Sequence, residues 1–160
     1  MISRALIIVS LLSASVYADR RLFAVERAAV LEALRAMRAL GHAPMHLPGA
    51  DVRLLAAAFR APPLFGQPVL RRVVGRARGG KAPSLLLHLR AGGGPSEAPW
   101  LNGGVARAGA AAGVPTPVNA ALAAMMAAAD ADPSAWGRTR GRPTAFLSTI
   151  GEPSTTWRSP

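Results

Sequence analysis

Three polar side chains stand out in a chain dominated by alanine, leucine and arginine: Ser84, Glu97 and Asn102. All three fall in residues 81–119, KAPSLLLHLRAGGGPSEAPWLNGGVARAGAAAGVPTPVN, where two short apolar segments are joined by Gly92, Gly93 and Gly94. A serine hydroxyl can donate to an anionic ligand and a carboxyl group can position a carbonyl or hydroxyl, which makes Ser84 and Glu97 residues to watch. Each also has an architectural reading. Ser84 can cap a helix, and Glu97 in a first turn meets the positive end of the helix dipole, an effect of about 0.3–1 kcal/mol. Asn102 is harder to place, because asparagine is a poor interior helix residue and Gly103 and Gly104 follow it. Two glycines inside a helix weaken it by roughly 1 kcal/mol each relative to alanine, which calls for a close approach to the backbone, by another helix or by a ligand.

Other candidate motifs fail on chemistry. Gly75 to Lys81 fits G-x-x-x-x-G-K, but Ala82 stands where a phosphate loop needs a hydroxyl for magnesium, and no parallel strand leads into it. His42 and His46 lie in a proline-containing loop with no acidic or cysteine partner nearby, so they read as loop histidines and no metal is expected. The absence of cysteine excludes disulfides, thiolate metal sites and a cysteine nucleophile. Arg140-Gly141-Arg142-Pro143 copies the R-G-R-P core of an AT-hook, which would lie in the minor groove of A·T-rich DNA; it occurs once and without a flanking basic cluster.

The elements that must position Ser84, Glu97 and Asn102 read as helices. The chain has 160 residues, 51% of them hydrophobic and only 5% aromatic, which suits one cored domain of all-α class. Over residues 22–40 apolar side chains recur at three- and four-residue spacing, with Asp19 as N-cap and Gly41 as stop. Asp51 caps a short helix through Phe59, ended by Pro62 and Pro63, and another short helix is expected to begin at Pro68. Helices follow over residues 84–91 and 97–112, the latter stopped at Gly113. A last one covers residues 118–129, with Thr116 as hydroxyl N-cap, Pro117 in the first turn, and Met125 and Met126 as core. Residues 131–160, rich in Pro, Ser, Thr and Gly, read as a poorly ordered basic tail.

The formal net charge of +11 rests on 19 basic residues, of which Lys81 is the one lysine, against 8 acids. Such a balance suits a polyanion or a phosphorylated cofactor, or simply arginines spread over solvated helix faces; nucleic acid is the less favoured partner. Residues 1–18 carry a basic residue, a short apolar run and Ala18, so they read either as a secretory signal or as a core helix, and the run is too short to span a bilayer.

Taken together, P-S followed by a glycine turn, S-E, L-N-G five residues past Glu97 and G-V-P-T-P-x-N resemble the C-terminal helical domain of the 2-dehydropantoate 2-reductases, the ketopantoate reductases. The resemblance runs over roughly residues 20–128. It implies that Ser84 bonds the substrate carboxylate, that Glu97 contacts the substrate oxygens as the catalytic-site carboxyl, and that Asn102 is structural support. It also implies an NADP cofactor and a keto-acid substrate, reduced to a 2-hydroxy acid in the pantothenate pathway. The family's catalytic lysine and its Rossmann domain have no counterpart here, since no lysine precedes Lys81 and no G-x-G-x-x-G occurs. His88 and Pro99 stand where the family often has acids, and the spacing from Ser84 to Glu97 is one residue longer than usual. The resulting expectation is a domain organisation of residues 1–18 as a truncated first core helix, 19–130 as the helical domain and 131–160 as the tail. Such a chain is cytoplasmic and inactive alone, and it associates as a homodimer or with a separately encoded Rossmann domain, without a membrane. A secreted helical protein, with residues 1–18 as its signal, is the alternative.

Overall fold

The computed structural model describes residues 17–45, 51–78, 98–132 and 143–150. Helix α1 (Arg20–Ala39) is the axis of the fold. It starts because the Asp19 carboxylate accepts the backbone N–H groups of Arg21 at 2.8 Å and Leu22 at 3.2 Å, two of the donors that an unformed previous turn would leave open. It stops at Gly41, whose φ of 77° is a left-handed conformation open to glycine at no steric cost. There His42 N–H reaches back to Met37 C=O at 2.8 Å and Gly41 N–H to Arg38 C=O at 3.0 Å, closing the last carbonyls. Leu22, Phe23, Val25, Ala28, Ala29, Val30, Ala33, Leu34, Ala36 and Met37 are all buried. So wide an apolar surface marks a helix with neighbours on several sides.

Those neighbours are α2 (Val52–Arg60), α4 (Ala98–Ala111), α5 (Pro117–Ala131) and α6 (Pro143–Ile150), each packed on α1. Asp51 caps α2 through a 3.0 Å bond from Leu54 N–H. Phe59 of α2 stacks on Phe23 with ring centroids 6.5 Å apart, and Tyr17 tilts against Phe23 at 6.0 Å. Arg27 leans from α1 over the end of α2, its guanidinium 3.5 Å from Arg60 C=O and 3.4 Å from Ala61 C=O; partial burial lowers its pKa below the usual arginine value.

Helix α3 (Pro63–Arg78) packs on α2. It begins at Pro63 and includes Pro68, so the expected start at Pro68 is corrected. The fixed φ of Pro63 suits a first turn, and Pro68 lies with Leu64 on the exposed side, where water can serve the carbonyl that loses its partner. Gly66 is required at the elbow, because a Cβ there would collide with Ala58 C=O of α2. Among the described residues every regular element is a helix, which makes the domain all-α.

Inside the stretch that the sequence reads as a tail, Pro143–Ile150 forms α6, with Leu147 buried on the core and Phe146 and Ile150 packed beside it. The spacing of Phe146, Leu147 and Ile150 puts three apolar side chains on one face. Composition alone hid this, because eight residues are too few to shift the polar average of residues 131–160.

Candidate functional site

Helices α4 and α5 form the most intimate pair in the molecule, joined by a short turn that Gly113 makes possible with φ of 65°. Val114 N–H bonds Gly109 C=O at 2.8 Å and Gly113 N–H bonds Ala110 C=O at 3.3 Å, the same terminating pattern as in α1. Gly109 is where the turn folds back: a Cβ there would lie 2.6 Å from both Thr116 Cγ2 and Val114 O. At Gly103 a Cβ would meet Ala123 Cβ of α5 at 3.8 Å, so one partner approaching the paired glycines after Asn102 is a helix.

Between the two helices and α1 runs a chain of buried polar groups. Asn102 of α4 donates from Nδ2 to Asn119 Oδ1 of α5 at 3.0 Å. Asn119 Nδ2 donates in turn to Ala29 C=O at 2.9 Å and to Glu32 Oε2 at 2.7 Å, both on α1. The Glu32 carboxylate also accepts the backbone N–H of Val118 on Oε1 and of Asn119 on Oε2, each at 2.9 Å. Asn119 and Glu32 are completely buried and Asn102 nearly so. Both protons of the Asn119 amide nitrogen and both Glu32 oxygens are thus engaged, and the carboxylate sits at the positive end of α5, where a negative charge is favoured.

This arrangement alters one expectation. Thr116 occupies the N-cap position of α5, but its hydroxyl makes no capping hydrogen bond. Glu32, 86 residues before Val118, takes that role. The buried polar groups of this network satisfy one another across three helices, as buried polar groups must.

Of the residues singled out for chemistry, Asn102 lies among the described residues, buried between α4 and α5 with its Nδ2 on Asn119 Oδ1. Ser84 and Glu97 lie outside the described residues; Glu97 is the residue directly before Ala98, where α4 begins. The Arg140 and Arg142 of the R-G-R-P segment, and His46, also lie outside them, while His42 is exposed after α1. Among the described residues no group of three metal-ligating side chains gathers, and no helix is long and apolar enough to cross a membrane. The described residues hold helices alone, so no strand–glycine turn–helix pyrophosphate motif occurs among them.

Sequence reasoning missed Glu32. The signal was there, since position 32 falls three residues past Ala29 and seven past Val25, on the apolar stripe of α1. A carboxylate on that stripe must find donors.

Fold and network define a class: an all-α domain in which a central helix pins the N-terminal parts of two paired helices through one buried carboxylate. The chain matches the family model described as "Ketopantoate reductase PanE/ApbA C terminal" over residues 3–130, and it belongs to that family. No individual curated protein and no solved structure matches it significantly.

Proposed function

We propose that this chain supplies the substrate-facing helical half of a ketopantoate reductase-like oxidoreductase, which reduces a 2-keto acid to a 2-hydroxy acid with NADPH. The observation that carries the reading is the anchoring of Asn102. As the asparagine of the L-N-G step, it ties α4 to α5 and, through Asn119, to α1. The start of α4 is therefore held rigidly, as a positioned carboxyl just before it would require. On this reading the Ser84 hydroxyl donates to the substrate carboxylate, and the Glu97 carboxylate accepts a hydrogen bond from a substrate hydroxyl, including the 2-hydroxyl once reduction has formed it. Family membership supports both roles.

The nicotinamide cofactor would deliver hydride, and a Rossmann domain outside the described residues would seat it, either in the same polypeptide or as a separate partner. The 160-residue chain alone is then a binding half-site without turnover. Calorimetric titration with ketopantoate tests this. The chain should bind the keto acid and leave NADPH unbound, and Ser84→Ala and Glu97→Gln should each weaken keto-acid binding by roughly tenfold or more, the effect of removing one hydrogen bond to a charged group. Tight NADPH binding, or variants that bind ketopantoate as the parent does, would contradict the assignment.

A further inference from the structure

Among the described residues, α3 gathers more exposed large apolar side chains than any other helix. Leu64 is 74% exposed, Phe65 65% and Val69 44%. Their spacing places them, with the exposed Pro68, on one side of the helix, opposite the buried Gly66 and Leu70. Arg71 and Arg72, also exposed, continue that side toward the C-terminal end. Leu54, 52% exposed on the adjoining α2, adds a further large apolar side chain to this region of the fold.

The charge around this face has one sign. Across α2 and α3, residues 52–78 hold six basic residues and no acidic one. The composition of the face is equally one-sided. It offers bulky apolar groups and guanidinium groups with no serine, threonine or asparagine between them, and the nearby amide Gln67 is turned inward, donating to Tyr17 C=O at 3.0 Å. A protein partner would have to bring carboxylates to Arg71 and Arg72 as well as an apolar surface to Leu64, Phe65 and Val69. A second copy brings no acidic group on its own α3 to meet them. What does match is a surface whose polar layer is anionic phosphate and whose interior is hydrocarbon.

We infer that the outward face of α3 docks on anionic phospholipid bilayers: Leu64, Phe65 and Val69 enter the boundary between headgroups and acyl chains, and Arg71 and Arg72 take the lipid phosphates. This is surface attachment of a helix lying in the interface plane, distinct from spanning. It does not depend on the keto-acid site.

The test is co-sedimentation of the intact chain with vesicles of phosphatidylcholine alone and with a third phosphatidylglycerol. The protein should pellet with the anionic vesicles and remain in solution with the neutral ones, and raising the salt should release it. Arg71→Gln with Arg72→Gln should lower affinity for anionic vesicles about 30-fold. Leu64→Ser with Phe65→Ser should lower it at least tenfold, and because both side chains are exposed the helical circular dichroism should be retained. The charge-matched control Arg20→Gln with Arg21→Gln, on the exposed start of α1, should bind as the parent does. Equal loss in that control would show attraction by net charge alone and overturn the assignment. So would failure of the parent to pellet with anionic vesicles. A parent that is dimeric by light scattering and becomes monomeric in Leu64→Ser with Phe65→Ser, without any vesicle binding, would show the face to be a protein interface and equally refute it.

Discussion

The Glu32 carboxylate in the middle of α1 accepts the backbone N–H of Val118 at 2.9 Å, and so caps a helix that begins 85 residues further along the chain. One side chain thereby does three things: it completes the N-terminus of α5, orients Asn119, and through Asn119 fixes Asn102 on α4. Removing it leaves two buried backbone donors and an amide without their acceptor. Glu32→Ala is expected to cost about 3 kcal/mol or more, since each buried donor left unsatisfied costs about 1–3 kcal/mol. Set against a typical stability of about 5–15 kcal/mol, that leaves the domain marginal. Urea denaturation monitored by circular dichroism measures it, and a loss under 1 kcal/mol would show that water or another residue replaces the carboxylate.

The vacant role of Thr116 gives a contrasting expectation. Replacing a working N-cap hydroxyl or carboxylate by an apolar group costs about 0.5–2 kcal/mol. Asp19→Ala and Asp51→Ala should fall in that range, because both carboxylates accept first-turn N–H groups. Thr116→Val keeps the buried methyl that packs on Gly109 and discards a hydroxyl that caps nothing, so it should change stability by less than about 0.5 kcal/mol. Midpoints from chemical denaturation of the three variants provide the comparison.

Local features were legible because they are written in consecutive residues. Asp19, Asp51, Gly41 and Gly113 each signal a helix end within one turn, and each lies at such an end. Residues that act across the fold were not legible in this way. Glu32 and Asn119 are 87 positions apart, and nothing in either neighbourhood names the other. The start of α3 was misplaced for a related reason: Pro68 looks like an opening residue until Gly66 is seen packed on Ala58, which requires the helix to begin earlier. For Ser84 and Glu97, which are proposed as substrate contacts, the sequence pattern and the family are the source of the proposal.

The link between Asn102 and Asn119 can be isolated by a double-mutant cycle. Asn102→Ala removes the donor to Asn119 Oδ1 and should destabilise the domain by roughly 1–2 kcal/mol, while Asn119→Ala should cost more, because it also breaks the bonds to Ala29 and Glu32. Direct contact calls for a coupling of about 0.5–3 kcal/mol between the two changes. Additive effects would mean that the 3.0 Å bond contributes nothing of its own.

The glycines of the α4 and α5 pair differ in what they permit, and alanine substitution separates them. Among the described residues a Cβ at Gly104 would have only the Arg107 side chain near it, at 3.9 Å, in the interior of a helix where glycine costs about 0.5–1 kcal/mol relative to alanine. Gly104→Ala should therefore raise stability by that amount. At Gly109 the added methyl would lie 2.6 Å from Val114 O, a backbone atom of the turn, so α4 and the turn must move apart. Gly109→Ala should lower stability by about 1–3 kcal/mol. Because the shift would strain Thr116 and the beginning of α5, it should also disturb the Asn119 amide resonances in a nuclear magnetic resonance spectrum, whereas Gly104→Ala should leave them in place. Equal behaviour of the two variants would show that the turn has slack which the packing at Gly109 does not suggest.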